Sequence, residues 1–467
     1  MLVGRTIRLR PLLALKLTLI AATAVITMAL QPVSTTRAQE PPATEASATA
    51  SCVFPFTPTT YEDLRDRSLF LDAIELASFN YLFPGDPYFG LPDLEVGPRE
   101  ARTTMPGQVP PVLLKAIAYI ESSITQGGAE TPFGSIGAAL VAWDCGHGVA
   151  QVTSGMTVPT GEVGRGSPQQ ALVASHFAYN IARGANILIE KWNEAPEEKP
   201  IAGVDTGSHP ALLENWYYAV WGYNGFTGPG SNKSNHPMDP IYGSWPRTPY
   251  SCGAETDGLG HNRNNYPYQE LVLGCAANPP VIEGEKLWNA QPIGLPDLNH
   301  PAWREALSLQ NFVFPYRKMD IPSPQPFNLD LTEAPDPLLR EKILGAPELA
   351  LSSYDAWLAY APGIGSTITW VDVFNTGSGV LTYYAMSSTP WLKVTPYTGV
   401  AVGSDLPCDV EANAPCDRAG HIALEVDTQK VPEGEVTVQV MVQALGTPHQ
   451  AVINVHVSPV VRTGLGN

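Results

Sequence analysis

The sequence predicts a mostly helical domain followed by an all-β sandwich, and two patterns and one change of composition carry that expectation. From about residue 60 to 225 apolar residues recur at helical spacing, with almost no strand-like alternation. Beyond about residue 345 the period becomes two. In "EVTVQVMVQ", Val436, Val438, Val440 and Val442 alternate with Thr437, Gln439, Met441 and Gln443, as half-buried strands do. Between these regions Pro301, Pro315, Pro322, Pro324, Pro326, Pro335 and Pro337 make 301–345 read as a semi-rigid linker.

In chain order, residues 1–38 have the layout of a cleaved export signal: Arg5, Arg8, Arg10 and Lys16, the apolar run "LTLIAATAVITMAL", then small residues at Thr36 and Ala38. That run is shorter than the roughly 20 residues a membrane-spanning helix needs, so no stable membrane anchor is expected. Residues 39–58 read as a flexible linker, opening with the small and polar "QEPPATEASATAS". The span 59–300 is the predicted helical domain, with candidate helices at 61–80, 110–125, 168–193 and 211–224 and a loop-rich stretch from 225 to 300. The span 346–467 is the predicted β-domain, in which "STITWVDVF", "GVLTYYAM", "WLKVTP", "HIALEV", "EVTVQVMVQ" and "AVINVHV" are short strands parted by turn residues.

Charge narrows the function. The chain has 27 Lys+Arg against 45 Asp+Glu, a formal net charge of −18, and loss of the basic N-terminus makes it more acidic still. Nucleic-acid binding needs clustered cations to displace counterions, so this balance disfavours it and no nucleic-acid partner is expected. The same balance is a poor match to an anionic cell envelope, which leaves a groove rather than bulk charge to hold any wall polymer. Six cysteines in an exported chain are consistent with disulfides; Cys408 with Cys416, Cys252 with Cys275 and Cys52 with Cys145 is one pairing, and free buried thiols are the alternative.

The candidate chemistry starts in "LLKAIAYIESSITQ", Leu113 to Gln126. At about 100° per residue Leu113, Ile117, Ile120 and Ile124 form one stripe, and Glu121 falls inside the apolar arc while Lys115 and Ser122 mark the opposite side. Glycoside cleavage needs a protonated carboxyl near neutral pH, and desolvation raises a Glu in an apolar pocket. A buried Glu neutralised by Arg183 is the competing structural explanation. Further on, "DCGHGVAQVTSGM" offers Gly146 and Gly148, where backbone can approach a ligand closely, and the amide of Gln151. "NWYYAVWGYNGF" then puts Tyr223 on the same helical direction as Leu212, Trp216 and Ala219.

These stretches resemble the catalytic domain of lytic transglycosylases of the soluble-lytic type, related to goose-type lysozyme. The matches are Glu121-Ser122, Gly148-Val149-Ala150-Gln151 and Gly222-Tyr223-Asn224, in family order over residues 110–226. Departures are Val149-Ala150 for Leu-Met and Gly222 for Ala. The resemblance implies a lysozyme-like α domain that acts on peptidoglycan glycan strands with no cofactor. It makes Glu121 the general acid and then base, and has Tyr223 hydrogen-bonding Glu121. Gln151, Ser122 and Asn224 would line the sugar cleft, with Trp216, Trp221 and Phe226 as candidate stacking rings. The product implied is a 1,6-anhydromuramyl end, formed without a second enzyme carboxylate.

Asp144 has two readings: a second carboxylate that activates water, as in an inverting hydrolase, or a loop residue capping nearby amides. Cys145 and His147, one residue apart and without a second cluster, do not make a zinc site, and no metal is expected. "VFNTGSGVLTYYAMSSTPWLKVTPYTGVA" resembles BACON-type immunoglobulin-like domains through Asn375-Thr376-Gly377, Trp391-Leu392-Lys393-Val394 and Pro396-Tyr397-Thr398-Gly399. That resemblance implies binding of surface carbohydrate, or a spacer. The expected whole is thus a mostly α lysozyme-like catalytic domain followed by an all-β immunoglobulin-like sandwich, secreted or periplasmic in a bacterium. A hydrolytic lysozyme using Asp144 and a non-catalytic wall-binding or adhesion protein are the rivals.

Overall fold

The structure is a computed structural model. It describes residues 50–97, 101–162, 164–198, 209–225, 234–254, 261–295, 297–301, 304, 328–407 and 416–460. The predicted signal 1–38, all but residues 50–58 of the linker 39–58, much of the Pro-rich segment 301–345, Phe226 and Cys408 lie outside the described residues.

Seven α-helices are described: α1 Ser68–Ser78, α2 Pro111–Ser122, α3 Pro168–Ser175, α4 Phe177–Glu198, α5 Tyr217–Tyr223, α6 Tyr268–Ala277 and α7 Leu339–Leu344. The first six are interleaved with strands β1 Ala50–Cys52, β2 Thr59–Tyr61, β3 Leu94–Val96, β4 Thr103–Met105, β5 Ile136–Ala138, β6 Thr157–Pro159, β7 Val281–Ile282 and β8 Glu285–Lys286. These close four two-stranded antiparallel ladders: β1 with β6, β2 with β5, β3 with β4 and β7 with β8.

The expected mostly α lysozyme-like domain is therefore overturned: the described residues between 50 and 295 form a mixed region of helices, small ladders and irregular segments. Local reasons are visible. The helix expected over 61–80 begins only at Ser68, because Thr59–Tyr61 pairs with Ile136–Ala138 as a strand. The run expected over 168–193 breaks at His176, which is extended at φ −122° and ψ 114°. Ser167 starts α3 with a capping box to Gln170 and Pro168 in the first turn, a strong local start signal. The loop-rich stretch hides α6, whose Leu271, Val272, Leu273 and Cys275 are buried.

Strands β9 Leu349–Leu351, β10 Asp355–Ala361, β11 Gly365–Ser366, β12 Thr369–Asn375, β13 Val380–Ser387, β14 Leu392–Thr395, β15 Thr398–Val402, β16 Gly420–Val426, β17 Val436–Ala444 and β18 Gln450–Pro459 form a two-sheet β-sandwich. One sheet runs β11-β10-β18-β17-β13-β15 and the other β14-β16-β12-β9. All neighbours are antiparallel except β10 with β18, which are parallel. Val371, Val373, Leu381, Ile422, Leu424, Val440, Val442, Ile453 and Val455 fill the space between the sheets, as the period of two requires.

Residues Ala43–Asn467 form one compact unit, and a single core runs from the mixed region into Val380, Tyr384, Tyr397, Val400 and Val402. Tyr384 donates to the Gly166 carbonyl at 2.8 Å, and Gly166 N–H donates to Tyr397 at 2.9 Å. The described end of the Pro-rich segment is also bound in. Fully buried Glu214 accepts from Gly294 N, Asn328 N and Asn328 Nδ2 at 2.7, 2.9 and 2.6 Å. Among the described residues no helix is long and apolar enough to cross a membrane.

Candidate active site

Glu121 is the penultimate residue of α2. That helix is buried nearly all round: Val112, Leu113, Leu114, Ala116, Ile117, Ala118 and Ile120 are covered, and so is Lys115, which pairs with Glu75 of α1 at 2.5 Å. The wettable side expected at Lys115 is thus closed by α1. Glu121 itself keeps part of its surface accessible, because the helix ends there. Ser123 and Ile124 are both left-handed, at φ 59° and 57°, and Ile124 N–H returns to the Ala118 carbonyl at 3.1 Å, the bond that closes a Schellman motif. A β-branched residue at positive φ is strained; burial of the Ile124 side chain, fully covered, offsets this.

Tyr268, the first residue of α6, donates its hydroxyl to Glu121 Oε1 at 2.5 Å. Burial pushes the Glu121 carboxyl up to about 7, the Tyr268 hydrogen bond and the nearby Arg263 charge oppose the shift, and the negative charge of Asp144 adds to it. The carboxyl is accordingly poised between acid and base near neutrality. Arg183 is not its partner: that guanidinium pairs with Glu190 at 3.2 Å and lies over the Tyr88 ring. Among the described residues no cation stands within ion-pair distance of Glu121.

The other predicted residues converge on one turn beside Glu121. Ser122 Oγ donates to the Val149 carbonyl at 2.8 Å, and the Tyr223 hydroxyl donates to the Ala150 carbonyl at 2.7 Å. The implied Tyr223–Glu121 hydrogen bond is therefore replaced by Tyr268–Glu121. Tyr223 remains close enough that the Glu121 charge opposes its ionisation. Ser122 and Tyr223 thus spend their hydroxyls positioning the turn rather than facing a sugar. Gln151, at φ 44° and partly exposed, donates Nε2 to the Gly148 carbonyl at 2.8 Å. Asn224 is exposed and accepts from Asn235 Nδ2 at 3.3 Å. Trp216 and Trp221 are fully buried, which makes them core residues rather than stacking platforms.

Buried amides lock that turn. Val149 N–H donates to Gln126 Oε1 at 3.1 Å, Ala150 N–H to Asn180 Oδ1 at 2.8 Å, and Asn180 Nδ2 to the His147 carbonyl at 2.7 Å. Gly148, at φ 65°, leaves the room where a Cβ would sit to the Gln126 amide, and Gly146 leaves its room to Gln151 Oε1. The glycines expected to admit a ligand admit the protein's own side chains. Cys52–Cys145 ties the same segment to β1, with Cα atoms 5.3 Å apart. Asp144 and Trp143 are exposed; Asp144 Oδ1 caps Gly146 N–H at 3.3 Å while its charge reaches Glu121.

Tyr268 and Arg263 escaped the sequence pattern. The available signal was "YQELVLGCAA" after Pro267, a helix start inside a loop-like stretch. Among the bonds that hold α6 in place are the Cys252–Cys275 disulfide, the buried pair of Glu270 with Arg247, whose Nε donates at 2.9 Å, and Gln269 Nε2 on the Asn235 carbonyl at 3.0 Å. Cys416 is also disulfide-bonded. Among the described residues no cluster of His, Cys, Asp and Glu could hold a metal.

No protein-family description matches the chain, and no curated protein does. Among solved structures, the periplasmic chaperone SfaE is similar over 24% of this chain and 59% of its own length, at 14% identity and TM-score 0.19. The PapD-like domain 7 of human CEP192 is similar over 24% and 84%, at 9% identity and TM-score 0.18. The CooA pilin subunit from enterotoxigenic Escherichia coli is similar over 25% and 99%, at 10% identity and TM-score 0.16. The chain thus spans less than two thirds of SfaE, and likenesses at these scores carry no argument about function.

Proposed function

We propose that this chain is an exported lytic transglycosylase that cleaves the β-1,4 bond between N-acetylmuramic acid and N-acetylglucosamine in peptidoglycan, with Glu121 as the single acid and base. The observation that carries the reading is a partly accessible carboxyl raised to about 7 and held by one tyrosine hydroxyl. A carboxyl so tuned holds its proton on a substantial fraction of molecules at neutral pH and gives it to the leaving glycosidic oxygen as the bond to C1 breaks. The substrate's N-acetyl oxygen stabilises the electron-poor C1. Glu121, now a carboxylate, takes the proton of the muramyl 6-hydroxyl as that oxygen bonds to C1, which closes the 1,6-anhydro ring and restores the acid. Tyr268 holds Oε1 through both steps.

The disulfides and the export-like N-terminus support a secreted or periplasmic setting, and the β-sandwich is a candidate contact for other surface carbohydrate. Asp144 favours one alternative, since its charge reaches Glu121: a hydrolase in which it activates water. Mass spectrometry of muropeptides released from purified sacculi tests both. Anhydro ends from the wild type, lost by about 100-fold or more in Glu121→Gln, are expected. Reducing ends that vanish in Asp144→Asn would replace the transglycosylase by the hydrolase, and undiminished release by Glu121→Gln would remove Glu121 from the chemistry. Tight sedimentation with sacculi and no soluble product would leave a wall-binding protein.

A further inference from the structure

Arg263 opens the short 3-10 turn Arg263–Asn265 just ahead of Tyr268. Its Nη2 donates to the Ile120 carbonyl at 2.6 Å, the peptide group that joins Ile120 to Glu121. The cation is therefore fastened beside the reactive carboxyl rather than onto it. Its side chain is exposed, and among the described residues that carbonyl is the one acceptor it reaches. A guanidinium carries five N–H donors in a planar fork suited to a carboxylate, so most of this fork faces outward unused.

Two comparisons give that fork meaning. Arg67, Arg183 and Arg247 each pair with a carboxylate, Glu62, Glu190 and Glu270 respectively, while Arg165, Arg340 and Arg418 rest on hydroxyl or carbonyl acceptors far from Glu121 in the sequence. Arg263 has no acid within ion-pair distance among the described residues. The charges felt by Glu121 are also opposite in sign: Arg263 favours an anion near the site, and Asp144 disfavours one. A ligand crossing Glu121 therefore meets an unsatisfied cation and an exposed anion at one site.

We propose that Arg263 binds a carboxylate of the substrate next to the scissile bond. On the reading of Glu121 given above, on which this rests, that group is a carboxylate of the peptide borne by the muramyl lactyl arm. The site would then select peptide-bearing, anionic glycan over a neutral amino-sugar polymer. A fork bound to a carboxylate through charge-assisted bonds would also fix which sugar sits over Glu121, because only alternate sugars of the strand carry the peptide.

The test compares a peptide-bearing muramyl tetrasaccharide with an N-acetylglucosamine tetramer in wild type, Arg263→Gln and Arg263→Lys. Expected is a fall of about 10-fold in the ratio of kcat/KM for the anionic over the neutral probe in Arg263→Gln, with partial recovery in Arg263→Lys. An unchanged ratio, including equal losses on both probes, would reduce Arg263 to a brace for the Ile120 peptide and overturn the proposal. Calorimetric binding of the same probes to the Glu121→Gln protein, with and without Arg263→Gln, reads the ratio without turnover. A wild type that releases no product would then count against the enzyme reading, while the binding ratio still decides Arg263.

Discussion

The mixed region and the β-sandwich both bury an apolar core, the former much the larger, and they differ in what else they bury. Inside residues 50–295 lie Glu62, Asp63, Arg67, Lys115, His147, His176, Glu214, His236, Asp239 and Glu270. Among the described residues the sandwich buries only Asn375, Thr382 and Thr398 of its polar side chains. A sheet pair packed by valines has nothing to offset the cost of an ion, whereas the irregular segments of the mixed region supply N–H groups and counter-ions wherever a charge goes inside. Glu62 shows how: it pairs with Arg67 and accepts from Gln126 N and Gly127 N at 2.9 and 2.6 Å, directly after Glu121 and the left-handed turn. Perturbed titration is concentrated where such networks exist, which is the physical reason to look for chemistry there.

The sharpest way to break this contrast is a pair of glycine substitutions. Gly148→Ala faces positive φ and the Gln126 amide, whereas Gly363→Ala, at φ 67° in the sandwich, meets nothing within 4 Å. Strain alone costs about 1 kcal/mol, and displacing a packed amide adds roughly 1–3 kcal/mol. Denaturant unfolding should place Gly148→Ala well below Gly363→Ala, with glycan cleavage lost only in the former. Equal losses would show that the turn is not locked as described.

The next effect is on stability against pH. Glu121 is raised from 4.5 to about 7 on folding, so below pH 4.5 it is protonated in both states and costs nothing. As pH rises through 7 the folded state resists losing a proton that the unfolded state has already lost, and stability falls by up to about 3 kcal/mol. Glu121→Gln does not titrate, so its advantage over wild type should grow between pH 4.5 and 7 and level off above. A gap that does not vary with pH would contradict the buried-acid geometry.

The smallest expected change is in Tyr268→Phe. Its hydroxyl favours the Glu121 carboxylate, so removing it should move the alkaline limb of the pH–rate profile to higher pH. Lost orientation should lower kcat by about 10-fold. A profile identical to wild type would take Tyr268 out of the site.

Particular residues show how far the sequence was legible. Strands β12, β16, β17 and β18 follow from their period of two and β13 from a buried apolar run between turn residues, while β9, β10 and β15 lack strong alternation in sequence and depend on partners far along the chain. Helices α2 and α4 follow from periodicity. Helix α6 was masked by Asn, Tyr and Pro neighbours that look like a loop. Of the pairs the sequence suggested, Cys52–Cys145 and Cys252–Cys275 are present. Tyr223 was placed near Glu121 but with the wrong partner, since an inward direction on a helix does not say which acceptor waits there.

By itself the sequence determined a change of period, a strongly acidic surface and one carboxyl set among apolar neighbours, because these are local properties of chemistry and spacing. Only the tertiary structure decided that the helical pattern would break into a mixed region sharing its core with the sandwich. It alone also chose Tyr268 and Arg263, far along the chain, as the groups that hold and surround Glu121. The reason is that a side chain's charge state depends on what excludes water from it and what donates to it. Those neighbours are fixed by packing, not by sequence distance.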